Sequence, residues 1–170
     1  MLRKQMLILA GMAAAVAVIA LVWQWNPQLG VALPADDPAA RLAFATRWLA
    51  VPGLTLLLGI AAIANRRFFT PDAIDGGEAS ASRFLDITLR YNRNTLEQAV
   101  LAAIAWEGLA LALPQGRLGL IPILAILFAA GRITFWIGYL LAPWARAFGL
   151  GLTFYPTVAA YLWLAGRLLS

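Results

Sequence analysis

Arg90, Asn94 and Glu97 stand at i, i+4 and i+7 in a stretch whose other residues are mostly apolar. At about 100° per residue of helix they lie within roughly 60° of one another, with Arg93 at the margin of the stripe. A cation, an amide and a carboxylate on one helical face can grip a zwitterionic ligand or carry a proton. Arg132, Tyr139 and Arg146 follow one another at intervals of seven, which also keeps one face, although Pro143 can break the helix before Arg146. An ionisable group at the bilayer centre costs a few kcal/mol or more, so such groups face protein or water and take a partner. The stripe is therefore expected to face inward. If the two helices end near Thr88 and Leu141, Glu97 and Arg132 lie at matching depth, about 13–14 Å in, and are expected to form an ion pair. Plainer roles compete: Arg66, Arg67 and Arg83 can be headgroup anchors, Arg90 and Arg93 can snorkel, and Tyr139 can belong to an aromatic belt. Glu107, off the Glu97 stripe, reads as structural.

Composition narrows the chemistry further. The chain has 170 residues, 62% hydrophobic and 12% charged, with a mean hydropathy of +0.79. A water-soluble core of this size would leave large apolar patches outside, so the chain reads as an integral membrane protein. It contains no cysteine and no histidine. That removes disulfides, thiolate nucleophiles, Ser-His-Asp catalysis, and Cys/His sites for zinc, haem or iron–sulfur clusters; no metal site is expected. The net charge of +5 comes from 13 basic residues, all but Lys4 arginine. They are scattered between apolar runs, which argues against nucleic acid and for topology signals or anion ligands.

A bilayer core about 30 Å thick needs about 20 apolar residues as helix. Five segments qualify: about Met6–Trp25, Trp48–Ala64, Thr95–Leu113 with its helix opening near Arg83, Leu118–Leu141, and Phe148–Leu169. Backbone in lipid must satisfy itself, so the fold class is all-α. Asn26–Ala45 and Thr70–Ser82 read as solvated loops, Pro114-Gln115-Gly116 as a tight turn, and Pro143 as a candidate for the first turn of the last helix. Arg3, Lys4, Arg66, Arg67, Arg83, Arg90, Arg93 and Arg146 fall on or near one side, against Arg41, Arg47, Arg117 and Arg167 on the other. The positive-inside rule puts the N-terminus and the first group in the cytoplasm. The first segment resembles a signal peptide in its basic start, but it is too long, and a retained helix is the expectation.

With these positions in place, the chain resembles the family of membrane-associated proteins in eicosanoid and glutathione metabolism (MAPEG), which includes microsomal glutathione transferases, leukotriene C synthase and microsomal prostaglandin E synthase. Arg90-Tyr91-Asn92-Arg93-Asn94-Thr95-Leu96-Glu97 is similar to the family's Arg-x-x-x-Asn-x-x-Glu. Asn65-Arg66-Arg67-Phe68 resembles its basic pair, Gly131-Arg132 to Tyr139 its Arg-x6-Tyr, and Arg146 lies where the thiol-activating arginine is found. The likeness spans Trp48 to Leu169. Departures are the additional first segment, Gln98 after the Glu, and Phe135 where a ligand-contacting Tyr occurs.

The resemblance implies a four-helix membrane domain over residues 47–170, preceded by an extra transmembrane helix over 1–26. It also implies a homotrimer with sites between subunits, which the positive-inside reading puts on the cytoplasmic side. Glutathione would be the co-substrate and a lipophilic electrophile the second substrate. Arg66, Arg67, Arg90, Arg93, Asn94, Glu97 and Arg132 would bind glutathione, while Arg146, helped by a Tyr139 hydroxyl bond, would stabilise its thiolate. Conjugation or reduction of a lipid hydroperoxide would follow, and isomerisation stays open. Two other classes also stay open: a non-catalytic ligand-binding protein, and a transporter or scaffold using Glu97 with Arg132.

Overall fold

A computed structural model describes residues 1–25, 29–69 and 82–169. Five helices run through them, each long and apolar enough to cross a membrane. They are α1 (Leu2–Trp25), α2 (Pro38–Phe68), α3 (Arg83–Ala112), α4 (Leu120–Leu141) and α5 (Arg146–Leu168). No strand occurs among the described residues. The expected loop at Thr70–Ser82 lies almost wholly outside them, as do Asn26 to Gln28.

α2 begins earlier than expected. Pro38–Ala45 is helix, because Asp37 accepts the Ala40 N–H at 2.9 Å and Pro38 occupies the first turn, where a missing N–H is harmless. At 31 residues α2 is about 46 Å long. The α3–α4 connection is a 3-10 turn over Gln115–Arg117. Pro143 lies in the turn between α4 and α5, not inside α5, and Arg146 is the first residue of α5.

α4 is the central element: 56% of its span is buried, against 6% for α1. Trp106, Phe128, Leu109, Leu118 and Ile121 form the core at one end, with Phe44 and Ala45 of α2 packed in. At the other end Ile87, Tyr91, Phe135 and Tyr139 form a smaller, aromatic core. α2 and α3 approach most closely at Gly59, where a Cβ would collide with Tyr91 and Asn92. Tyr91 donates to the Thr55 carbonyl at 2.9 Å and fixes that crossing.

α1 lies along α5. Gly11 meets Ala147 and Phe148, and Ala15 meets Gly151, so the two helices run parallel with their N-termini at one end. Small residues on both sides allow this close contact, and Ala15, Val18, Ile19 and Val22 of α1 extend it as an apolar seam with Ile123 and Leu127 of α4 and Phe148 and Leu152 of α5. At the opposite end Arg41 is buried, donating to the Ala110 and Leu113 carbonyls at 3.1 and 2.8 Å, to Asp36 at 2.6 Å and to Gln115 at 3.1 Å. This clasp ties the entry of α2 to the α3–α4 turn.

Candidate functional site

The inward stripe of α3 is Tyr91, Thr95 and Gln98, all buried. The stripe Arg90–Asn94–Glu97 is turned about one residue away: Asn94 still reaches inward to Arg132, but Arg90 and Glu97 do not face inward as expected. Glu97 points outward, 56% exposed, and pairs with Arg93 at 3.5 Å. The expected Glu97–Arg132 ion pair is absent. Apolar packing decides this: α3 commits its aromatic and small residues to α2 and α4, which leaves the charges at the rim.

Arg132 takes a different partner. Its guanidinium is fully buried, donating to Asn94 Oδ1 at 2.8 Å and Thr153 Oγ1 at 2.6 Å. It also sits 4.7 Å from the Phe135 ring centroid and 5.8 Å from that of Phe128. Glycine makes room beside it. A Cβ on Gly131 would lie 2.9 Å from the Gly149 carbonyl, and one on Gly149 would collide with the Phe135 backbone. α4 and α5 thus touch backbone to backbone.

Above this crossing, three helices converge on a pocket of about 240 Å³. α3 contributes Arg90 and Asn94, α4 contributes Phe135 and Tyr139, and α5 contributes Arg146 and Leu150. Arg90 is held by Asp86 one turn earlier, through two contacts of 3.0 Å, and interacts electrostatically with the Tyr139 phenol. The Arg146 guanidinium lies over the Tyr139 ring, 4.4 Å from its centroid. That contact is with the ring face, not the hydroxyl bond expected. Gly138 permits it by admitting the Ala145 carbonyl, 2.6 Å from where a Cβ would stand. Behind the pocket, Tyr91 stacks on Trp136 at 4.7 Å, and Phe135 meets Tyr139 edge-on at 5.9 Å.

The structure therefore brings Arg90, Asn94, Tyr139 and Arg146 together and sets Arg132 directly behind Asn94. Arg66 lines a separate depression with Ala62, Asn65 and Phe84, and Arg67 is half-buried beside it. Arg93 and Glu97 lie on the outer face of α3. Three contributors went unnoticed in the sequence: Asp86, Leu150 and Thr153. Each had a signal, since Asp86 precedes Arg90 by four residues and Leu150 and Thr153 follow Arg146 by four and seven.

The arrangement is an anion-seeking one: two guanidinium groups, an amide and a phenol around one opening, with a third guanidinium behind. Such groups form strong charge-assisted bonds to carboxylates and stabilise thiolates.

Comparison with known proteins identifies the family. The model of the MAPEG family matches residues 39–166. Over 81 residues the chain is 33% identical to transmembrane protein 79 of Mus musculus, covering 48% of this chain and 21% of that protein. Transmembrane protein 79 of Bos taurus matches to the same identity over 20% of its length. The chain thus spans about a fifth of the curated relatives it matches. No solved structure gives a significant match.

Proposed function

The chain belongs to the MAPEG family, and from that premise we propose that it is a membrane-bound, glutathione-dependent transferase or peroxidase acting on lipophilic electrophiles. The observation that carries the reading is the meeting of Arg90, Asn94, Tyr139 and Arg146 at one pocket from three helices. Glutathione has two carboxylates, which suit planar guanidinium groups, and a thiol whose ordinary pKa of about 8.5 falls beside a cation. Arg146 is the cation assigned to the sulfur, with Tyr139 holding its plane. Arg90 and Asn94 take carboxylate or amide oxygens.

At about 240 Å³ the pocket of one chain is smaller than the roughly 300–1,000 Å³ usual for ligand sites. A homotrimer with sites at subunit boundaries supplies the missing wall. There the outward Arg93 and Glu97, or Arg66 and Arg67 from a neighbour, complete the grip, with Glu97 on the ammonium. The excess of basic residues at this end supports a cytoplasmic position for the pocket and the N-terminus.

In the transferase reaction the thiol proton leaves to water and the thiolate forms a C–S bond to the electrophilic carbon. The leaving group departs with its electron pair. In the peroxidase reaction the thiolate attacks the hydroperoxide and the O–O bond breaks, giving an alcohol. A second glutathione then yields the disulfide and water, so two thiols are oxidised as one hydroperoxide is reduced. An ultraviolet difference spectrum of purified protein with glutathione tests the reading: a thiolate band at neutral pH that Arg146→Ala abolishes is expected.

A non-catalytic ligand-binding role is favoured by one feature, the apolar Phe135 in the pocket wall. Turnover of a generic aryl halide with glutathione separates catalyst from binder.

A further inference from the structure

Arg132 is a cation with no counter-charge: among the described residues no carboxylate touches it, and its Nε has no partner. It is nevertheless fully buried in a membrane-spanning helix, where an uncompensated charge costs several kcal/mol. Its two bonds have a common direction. A guanidinium carries only donors, so it can face only the oxygen of the Asn94 amide. The Asn94 amide nitrogen is thereby turned away from Arg132, and Asn94 lines the pocket. On the other side Thr153 accepts from Arg132 and donates its own proton to the Leu150 carbonyl at 3.0 Å. The whole chain of bonds is polarised outward from Arg132.

We propose that Arg132 is a positioning residue that fixes the polarity of Asn94, so that Asn94 joins Arg90 and Arg146 as a donor and the pocket accepts an anionic group. The bound anion is then the nearest negative charge to Arg132, reached across the Asn94 amide. The proposal rests on the glutathione reading only for the identity of the anion; the sign of the charge comes from the geometry alone.

Full-length protein in nanodiscs tests it, with octanesulfonate and glutathione titrated calorimetrically in parallel. Asn94→Asp gives Arg132 a carboxylate and replaces the donor with an acceptor. Its melting temperature is expected to hold or rise while octanesulfonate affinity falls about tenfold or more, about 1.4 kcal/mol. Arg132→Lys, also a pure donor, keeps affinity within about threefold, whereas Arg132→Met loses about tenfold. A contact that served packing alone would not move stability and anion affinity in opposite directions. Octanesulfonate binding lost in Asn94→Asp, with glutathione silent in the parent chain, upholds the proposal and removes the glutathione reading. No octanesulfonate binding by the parent chain overturns the proposal. So does unchanged binding by Asn94→Asp, or an Asn94→Asp chain that melts lower.

Discussion

Arg146 lays its guanidinium on the ring of Tyr139, 4.4 Å from the centroid, across the turn that joins α4 to α5. A cation–π contact of this kind is worth about 0.5–2 kcal/mol and fixes a plane as well as a charge. The first residue of α5 is thus aimed by a residue in the last turn of α4, and both line the pocket.

Replacing Arg146 separates charge from plane. Under the proposed transferase function, Arg146→Ala is expected to lower glutathione conjugation about a hundredfold, the scale of removing one preorganised electrostatic group. Arg146→Lys keeps the charge but loses the stacking and fork, and should retain about a tenth of the parent rate. Steady-state kinetics with an aryl halide decides it: a Lys variant as fast as the parent would dissociate ring stacking from catalysis, and one as slow as the Ala variant would remove the role of the charge alone.

A glycine at the α4–α5 crossing and one inside α2 should respond oppositely to a methyl group. Gly149→Ala drives a methyl into the Phe135 backbone and should destabilise by about 2 kcal/mol or more. Gly53→Ala meets nothing within 4 Å inside α2 and should stabilise by about 0.5–1 kcal/mol. Thermal unfolding in one detergent compares them directly.

Arg41 offers a similar contrast at the far end. Truncation of Arg41 to Ala leaves the Ala110 and Leu113 carbonyls without their donor and should cost about 3 kcal/mol. Asp36→Asn removes a partner that is 71% exposed, and should change stability by less than about 1 kcal/mol. A melting shift for Asp36→Asn as large as that for Arg41→Ala would contradict this ranking.

The parallel packing of α1 on α5 can be trapped covalently. A Cβ on Gly11 would stand 3.4 Å from that of Ala147, close to the roughly 3.5–4.5 Å spanned by a disulfide. The Gly11→Cys/Ala147→Cys double variant should therefore cross-link on mild oxidation, in a chain with no other cysteine to compete. Mobility on non-reducing gels reads the outcome. Gly11→Cys with Arg167→Cys, at the other end of α5, should not cross-link.

The helix count and the all-α class were legible because lipid permits few alternatives: long apolar runs must close their own backbone bonds. Arg90, Asn94, Tyr139 and Arg146 were legible because spacings of four and seven survive folding. The rotation of α3 was not, because Tyr91, Thr95 and Gln98 form an equally regular stripe one residue away, and only packing against Gly59 and Thr55 chooses between them. The partner of Arg132 was missed for a related reason. A carboxylate at matching depth looked like the natural mate, but a short amide and a hydroxyl reach it from α3 and α5 instead. The start of α2 was obscured by its prolines, which read as loop when counted together, although Pro38 alone sits where helices admit one.

α2 outruns the hydrocarbon slab by about half its thickness, at about 46 Å against about 30 Å. Arg41 near its beginning and Arg66 and Arg67 near its end are about 37 Å apart along the axis, farther than that thickness. A helix longer than the slab is accommodated by tilt or by local thickening of the bilayer. Because Tyr91 is fastened to its middle, the axial register of α2 becomes that of α3, and with it that of Arg90 and Asn94.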